Sequence, residues 1–207
     1  EAPEQLAAAL GAERVVGGLC GILAYIDGPG RIMHVAADPF VRFGELDNRP
    51  SERTRRLKDA FERARGLKVD IPADIQVAIW SKFLLICAMS GVGGATRAPI
   101  GVTRKLPETR GLLEALMREI RAVALARGVA LPEDAIARAM GFFDALPENG
   151  TASMQRDILD GVPSELESQN GAVVRLGTAA GVPTPVNTAI HAALLPQELR
   201  SRGELHF

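Results

Sequence analysis

IQVAIWSKFLLICAMSGVGGATRAPIG, residues 75–101, reads as one almost wholly apolar helix that runs into a glycine-rich turn. A single charge, Lys82, lies inside its apolar part, flanked by Trp80, Phe83, Leu84, Leu85, Ile86 and Cys87. An ammonium group is almost never fully buried without a partner. A lysine in this setting therefore either does chemistry in a cleft or lays its stem on apolar surface with its head in water. At about 3.6 residues per turn, Lys82, Ile86 and Ser90 share one stripe of the helix, and Ile75, Ile79, Phe83 and Cys87 share another that would pack into a core. The lysine stripe is then available to a cleft. The helix alone leaves the snorkelling lysine as the simpler reading. The glycines of Gly91-Val92-Gly93-Gly94 follow this helix, where a terminating role is expected of them.

The whole chain has 207 residues, 47% of them hydrophobic, enough for one large domain or two small ones with a real core. Twenty-four basic and twenty-five acidic side chains give a formal net charge of −1, with no long run of either sign. The electrostatic footprint of a nucleic-acid binder is missing, so no nucleic-acid partner is expected. Cys20 and Cys87 sit in apolar segments without metal-ligand spacing, and the three histidines, His34, His191 and His206, are scattered. Neither a disulfide framework nor a metal site is indicated, and a reducing, cytoplasmic compartment fits. The apolar run from Phe83 to Met89 is too short to span a bilayer, and Glu1, Glu4 and Gln5 stand where a secretory signal needs basic residues. No membrane association is expected.

Upstream of the central helix the pattern is mixed. Residues 4–10 read as a short helix ending at Gly11. Residues 14–26 read as a strand, Asp27-Gly28-Pro29-Gly30 as a turn, and 31–35, 41–46 and 67–71 as further short strands. Ser51 is placed to cap a helix carrying Leu57, Ala60, Phe61 and Ala64 on one side. Downstream of Pro72 no strand is expected. Helical periodicity runs through Leu112, Leu113, Leu116, Met117, Ile120 and Val123, then from Pro132 through Ile136, Met140 and Phe143. A short helix follows from Thr151 or Ser153 to Leu159. Ser164 and Glu167 have the spacing of a capping box at the head of a helix reaching about Ala180, and Thr184-Pro185 opens the last helix. The fold class expected is mainly α: an α/β piece over 1–71 and a helical domain over 72–207. The first piece is small for an independent core and reads as the remnant of a larger sheet.

Several stretches coincide with a known family. Gly28-Pro29-Gly30, Gly44-Glu45-Leu46-Asp47, Trp80-x-Lys82 and Ser153-Met154-x-x-Asp157 occur in its order. So do Ser164-Glu165-Leu166-x-x-x-Asn170-Gly171 and Gly181-Val182-Pro183-Thr184-Pro185-x-Asn187. Together they resemble the ketopantoate reductases, the 2-dehydropantoate 2-reductases, over nearly the whole chain. The resemblance implies an NADP-binding Rossmann domain followed by an all-helical domain similar to those of 6-phosphogluconate dehydrogenases. On that reading residues 1–71 are the C-terminal part of the cofactor domain. The Gly-x-Gly-x-x-Gly turn that would hold the pyrophosphate of NADP is not in this sequence, and NADP would be bound mainly by a preceding half.

The resemblance also implies roles. Lys82 matches the family's catalytic lysine, a general acid toward the keto oxygen of a small-molecule 2-keto acid. Glu165 matches a catalytic glutamate that bonds the substrate hydroxyl and holds the lysine. Without the resemblance it would read as a first-turn carboxylate favoured by the helix dipole. Ser153 matches a substrate-binding serine, and its place in a helix's first turn suits a carboxylate. The substrate-binding stripe departs from the family. Asparagines usual one and two turns after the lysine are here Ile86 and Ser90. Gly150 replaces another asparagine, and Ser168 replaces a tyrosine. Losing an amide that bonds a polar substrate costs roughly 1–3 kcal/mol of recognition, so Ile86 points to a less polar or differently shaped keto acid. A homodimer is compatible with the apolar helices. The competing expectation is a non-catalytic oligomerisation or ligand-binding module with an eroded substrate site.

Overall fold

The computed structural model describes residues 1–35 and 38–207. Glu1–Ile79 forms one compact unit and Trp80–Phe207 a second, the division falling inside the long central helix.

The first unit opens with α1 (Ala2–Leu10) and a 3-10 turn at Ala12–Arg14. Strands β1 (Gly17–Gly21), β4 (Phe40–Gly44) and β5 (Lys68–Asp70) make a sheet in the order β1-β4-β5. β1 is antiparallel to β4, and β5 is parallel to it. Among the described residues, strands β2 (Ala24–Gly28) and β3 (Arg31–His34) pair only with each other. The single strand expected over 14–26 is thus two strands in two sheets. The chain leaves the first after Gly21, whose missing side chain makes room for the Phe40 ring, and turns back on itself at Gly30, held at φ 72°. Both faces of the resulting ribbon are open: the paired Ile26 and Ile32 are 78% and 73% exposed on one, and the paired Tyr25 and Met33 are 53% and 44% exposed on the other. Helix α2 (Glu52–Phe61) starts as expected at Ser51, whose hydroxyl accepts from the Thr54 amide at 3.2 Å. Arg53 of α2 grips Glu45 and also donates to the carbonyls of Glu13 and Val15. That guanidinium holds the Glu45 carboxyl below the usual carboxylate range, outweighing the upward push of burial.

Helix α3 (Ile75–Thr96) is capped twice: Asp74 Oδ1 accepts from the Val77 amide, and Asn48, itself left-handed at φ 62°, accepts from the Ile75 amide, each at 3.0 Å. The expectation that it ends at its glycines is wrong, because it runs through all three of them. A Cβ on Gly91 would lie 2.9 Å from Asn170 Nδ2 and 3.0 Å from Ile190 Cγ2. One on Gly94 would lie 3.3 Å from Ile158 and Leu194 methyl carbons, and one on Gly93 would strike the Gln155 amide. Each glycine weakens a helix by about 1 kcal/mol relative to alanine, and close tertiary packing here outweighs that propensity. The deepest line of α3 in the second unit is also not the one expected. Trp80, Leu84, Ala88 and Val92 are buried with Cys87, whereas Phe83 is half-buried.

The second unit continues with α4 (Ile100–Lys105), α5 (Pro107–Ala126), α6 (Ala135–Ala145), α7 (Ser153–Asp160), α8 (Asn170–Ala180) and α9 (Pro185–Ser201). Among the described residues it holds no strand, as expected. Helix α5 is its centre. It buries Leu113, Leu116, Met117, Ile120 and Val123 and packs against α4, α6, α8 and α9. The left-handed glycines Gly161 and Gly181 close α7 and α8. Among the described residues only α3 is long and apolar enough to cross a membrane. Half of its apolar window is buried in the protein.

The expected capping box at Ser164 and Glu167 does not form, and α8 begins only at Asn170. Residues 165–169 make one turn, with the Gln169 amide on the Glu165 carbonyl at 2.9 Å. The register then slips, the Gly171 amide reaching back to the Leu166 carbonyl at 3.0 Å across Gln169, whose φ and ψ are −107° and −97°. The slip follows from competition. Ser164 and Glu167 find charged partners on α8 and α9, and charge-assisted bonds outweigh neutral capping bonds.

Candidate active site

All five sequence-predicted site residues lie in the second unit, on three elements. Lys82, Ile86 and Ser90 follow one stripe of α3 that descends into the protein. Lys82 and Ile86 are half-buried, while Ser90 is 0% exposed and its hydroxyl has no hydrogen-bond partner among the described residues. The Trp80 and Phe83 rings, edge to face at 5.5 Å, stiffen the same turns.

Ser153 is the first residue of α7. It is exposed and makes no capping bond, so its hydroxyl is open to an anion. Helix α7 is seated by Met154, 0% exposed, and by the buried Gln155, whose amide donates to the Ala98 carbonyl at 3.0 Å and lies against Gly93. Glu165 is exposed on the turn that precedes α8, and not in the helix the sequence suggests. Helix α7, which carries Ser153, rests on the glycine stretch of α3 at Gly93 and Gly94, and α8, which follows the Glu165 turn, meets it at Gly91 through Asn170. Gly150 packs against Ile100, where a Cβ would come within 3.0 Å of its Cδ1, and Ser168 is exposed on the Glu165 turn.

Sequence reasoning missed a polar core that joins four helices. Glu119 of α5 accepts from the Val186 and Asn187 amides at 2.8 and 2.9 Å, a carboxylate at the N-terminus of α9. The Asn187 side chain donates to Glu119 at 2.7 Å and accepts from Asn170 Nδ2 at 3.2 Å, with the Cys87 sulfur 4.0 Å from the same Asn187 oxygen. Asn187 and Asn170 are 0% exposed. Burial pushes the Cys87 thiol up, so it stays protonated as a weak donor and is no nucleophile. Asn170 and Asn187 belong to the quoted family stretches. Their signal was an amide on otherwise apolar helix faces.

A second cluster surrounds Glu167. Its carboxylate meets His191 Nε2 at 2.7 Å and Arg175 at 2.9 Å. Burial raises its pKa, but the hydrogen bond and charge of His191, with those of Arg175, outweigh this and leave it below its ordinary value of 4.5. A lowered carboxylate pKa adds stability that is fully present above the ordinary value and is lost as pH falls through the folded one. Thermal midpoints measured from pH 6 down to pH 3, a range of about three units set by ordinary carboxylate pKa values, should therefore fall less steeply for Glu167→Gln than for the parent. Parallel curves would show that the cluster adds no stability. Among the described residues no group of three or more His, Cys, Asp or Glu side chains is arranged to hold a metal.

A helical unit that presents half-buried Lys82 on α3, preceded in the chain by a small α/β piece, defines the class. The family model described as ketopantoate reductase PanE/ApbA C terminal matches residues 74–198, and the chain belongs to that family. It is 31% identical over 193 residues to the uncharacterized oxidoreductase YkpB of Bacillus subtilis, covering 92% of this chain and 63% of that protein. It is 32% identical over 186 residues to the 2-dehydropantoate 2-reductase of Mesorhizobium japonicum, covering 88% and 55%. The crystal structure of 2-dehydropantoate 2-reductase from Methylococcus capsulatus superposes with a TM-score of 0.83 at 31% identity, over 95% of this chain and 62% of that one. The chain thus spans less than two thirds of the length of these relatives.

Proposed function

We propose that the complete protein is an NADPH-dependent reductase of 2-dehydropantoate or a related 2-keto acid, giving the 2-hydroxy acid. The observation that carries this reading is Lys82 itself, half-buried on α3 inside the family-matched region, with Glu165 exposed on a tethered turn. When bound, the nicotinamide supplies the hydride. Among the described residues, Glu1–Ile79 offers no glycine-rich strand-to-helix turn for a pyrophosphate, so no residue of it is assigned to the cofactor. The chain's own part is proton delivery and orientation. Lys82 Nζ donates to the keto oxygen as negative charge develops there, and Glu165 accepts from the hydroxyl that results. The Ser153 hydroxyl receives the substrate carboxylate. Ile86 lines the substrate with alkyl surface where an amide would bond a hydroxyl, which favours keto acids with apolar side chains. A homodimer is the assembly we expect.

The test is NADPH oxidation by the complete protein against a panel of 2-keto acids, with 2-dehydropantoate compared with acids of branched alkyl chain. Turnover with at least one of them is expected, and preference for the alkyl acids would locate the effect of Ile86. Absence of turnover with every member would sink the reading in favour of a binding module.

A further inference from the structure

The turn that carries Glu165 is tied at both ends to the same helix. At its start, Glu198 of α9 is 2% exposed, and its carboxylate accepts from the Ser164 amide at 3.1 Å, the Ser164 hydroxyl at 2.6 Å and Arg202 Nε at 2.7 Å. Arg202 also donates to the Ser164 carbonyl at 3.2 Å. At its other end Glu167 meets His191 of α9 and Arg175 of α8, which also donates to the Glu167 carbonyl at 2.8 Å. Gly171 admits this second cluster, since a Cβ there would lie 2.8 Å from Glu167 Oε2 and 3.2 Å from His191 Nε2. His191 and Glu198, seven residues apart, lie on one face of α9 two turns from each other. Between the tethers Leu166 is 0% exposed, and Glu165 stands out to solvent.

A buried carboxylate with its donors is on average no better for stability than apolar side chains of equal volume; what it adds is a defined geometry. A tether meant only to hold the loop down would need no more than Leu166. We infer that Glu198 is a positioning residue, which through Ser164 fixes the direction of the Glu165 carboxylate toward the substrate. The inference rests on the proposed reductase reading. It makes α9, which supplies no predicted site residue, part of the catalytic geometry.

The experiment is a double-mutant cycle in the complete protein, crossing Glu198→Gln with Glu165→Gln, and Ser164→Ala with Glu165→Gln. It is read as kcat and KM for the keto acid at saturating NADPH. Ser164→Ala removes one donor and leaves the Arg202 pair intact, so the cycle can be completed even where Glu198→Gln folds poorly. Glu198→Gln should lower kcat/KM for the keto acid about tenfold in the parent and less than about twofold in Glu165→Gln. Ser164→Ala should show the same pattern with a smaller loss. Equal losses in both backgrounds would overturn the positioning role, leaving Glu198 as a structural residue only. A parent without turnover would overturn the reductase reading and this inference with it.

Discussion

Replacing Lys82 by alanine in the complete protein is expected to lower kcat by about a thousandfold, the middle of the range for loss of a positioned acid. The melting temperature should hardly move, because a half-buried side chain that leaves no large cavity costs well under about 1 kcal/mol when shortened. Lys82→Met keeps the apolar stem and discards the ammonium, and should be as inactive as the alanine variant. Lys82→Arg keeps the charge but cannot release a proton near neutrality, so it separates proton transfer from simple charge stabilisation. Turnover within about twofold of the parent in Lys82→Met would leave the lysine as the snorkelling residue that the helix composition also allows.

The largest stability effect is expected at Asn187. Changing it to alanine removes the oxygen that Asn170 donates to and the amide that donates to Glu119, at a position 0% exposed. Asn170 is then left with both ends of its side chain unmatched, since its Oδ1 already lacks a partner among the described residues. One orphaned buried donor and the lost volume together cost about 3 kcal/mol. For a chain of this size that is a fall of about 10 °C in thermal midpoint, measured by circular dichroism or calorimetry. Glu119 keeps the two backbone amides of α9, so the helix should stay capped and the transition cooperative. A fall below about 2 °C would show that the network contributes little.

The helical half of the fold was open to reading because its signals are local. The Leu113-to-Val123 periodicity gave α5, and Gly161 and Gly181 gave the ends of α7 and α8. The misreadings share one cause, which is competition settled at long range in the chain. Ser164 and Glu167 have the spacing of a capping box, yet their partners are Glu198, His191 and Arg175. Residues 14–26 have the composition of one strand, but they divide between partners that arrive later, β4 and β3. The site followed the same rule. The Lys82 stripe could be drawn from spacing alone, whereas Glu119 and Glu198 gained meaning only once α9 was placed against α5 and the Glu165 turn.

The glycine stretch of α3 bears on how the chain folds. In an isolated peptide, a helix with three glycines within four residues would fray there. In the protein the last turns, around residues 91–96, are helical only while α7, α8 and α9 lie against them. They therefore belong to the cooperative unit of the bundle and do not form early by themselves. Their amide protons should exchange with solvent at the rate set by opening of that unit, while the capped turns ahead of them retain a protection of their own.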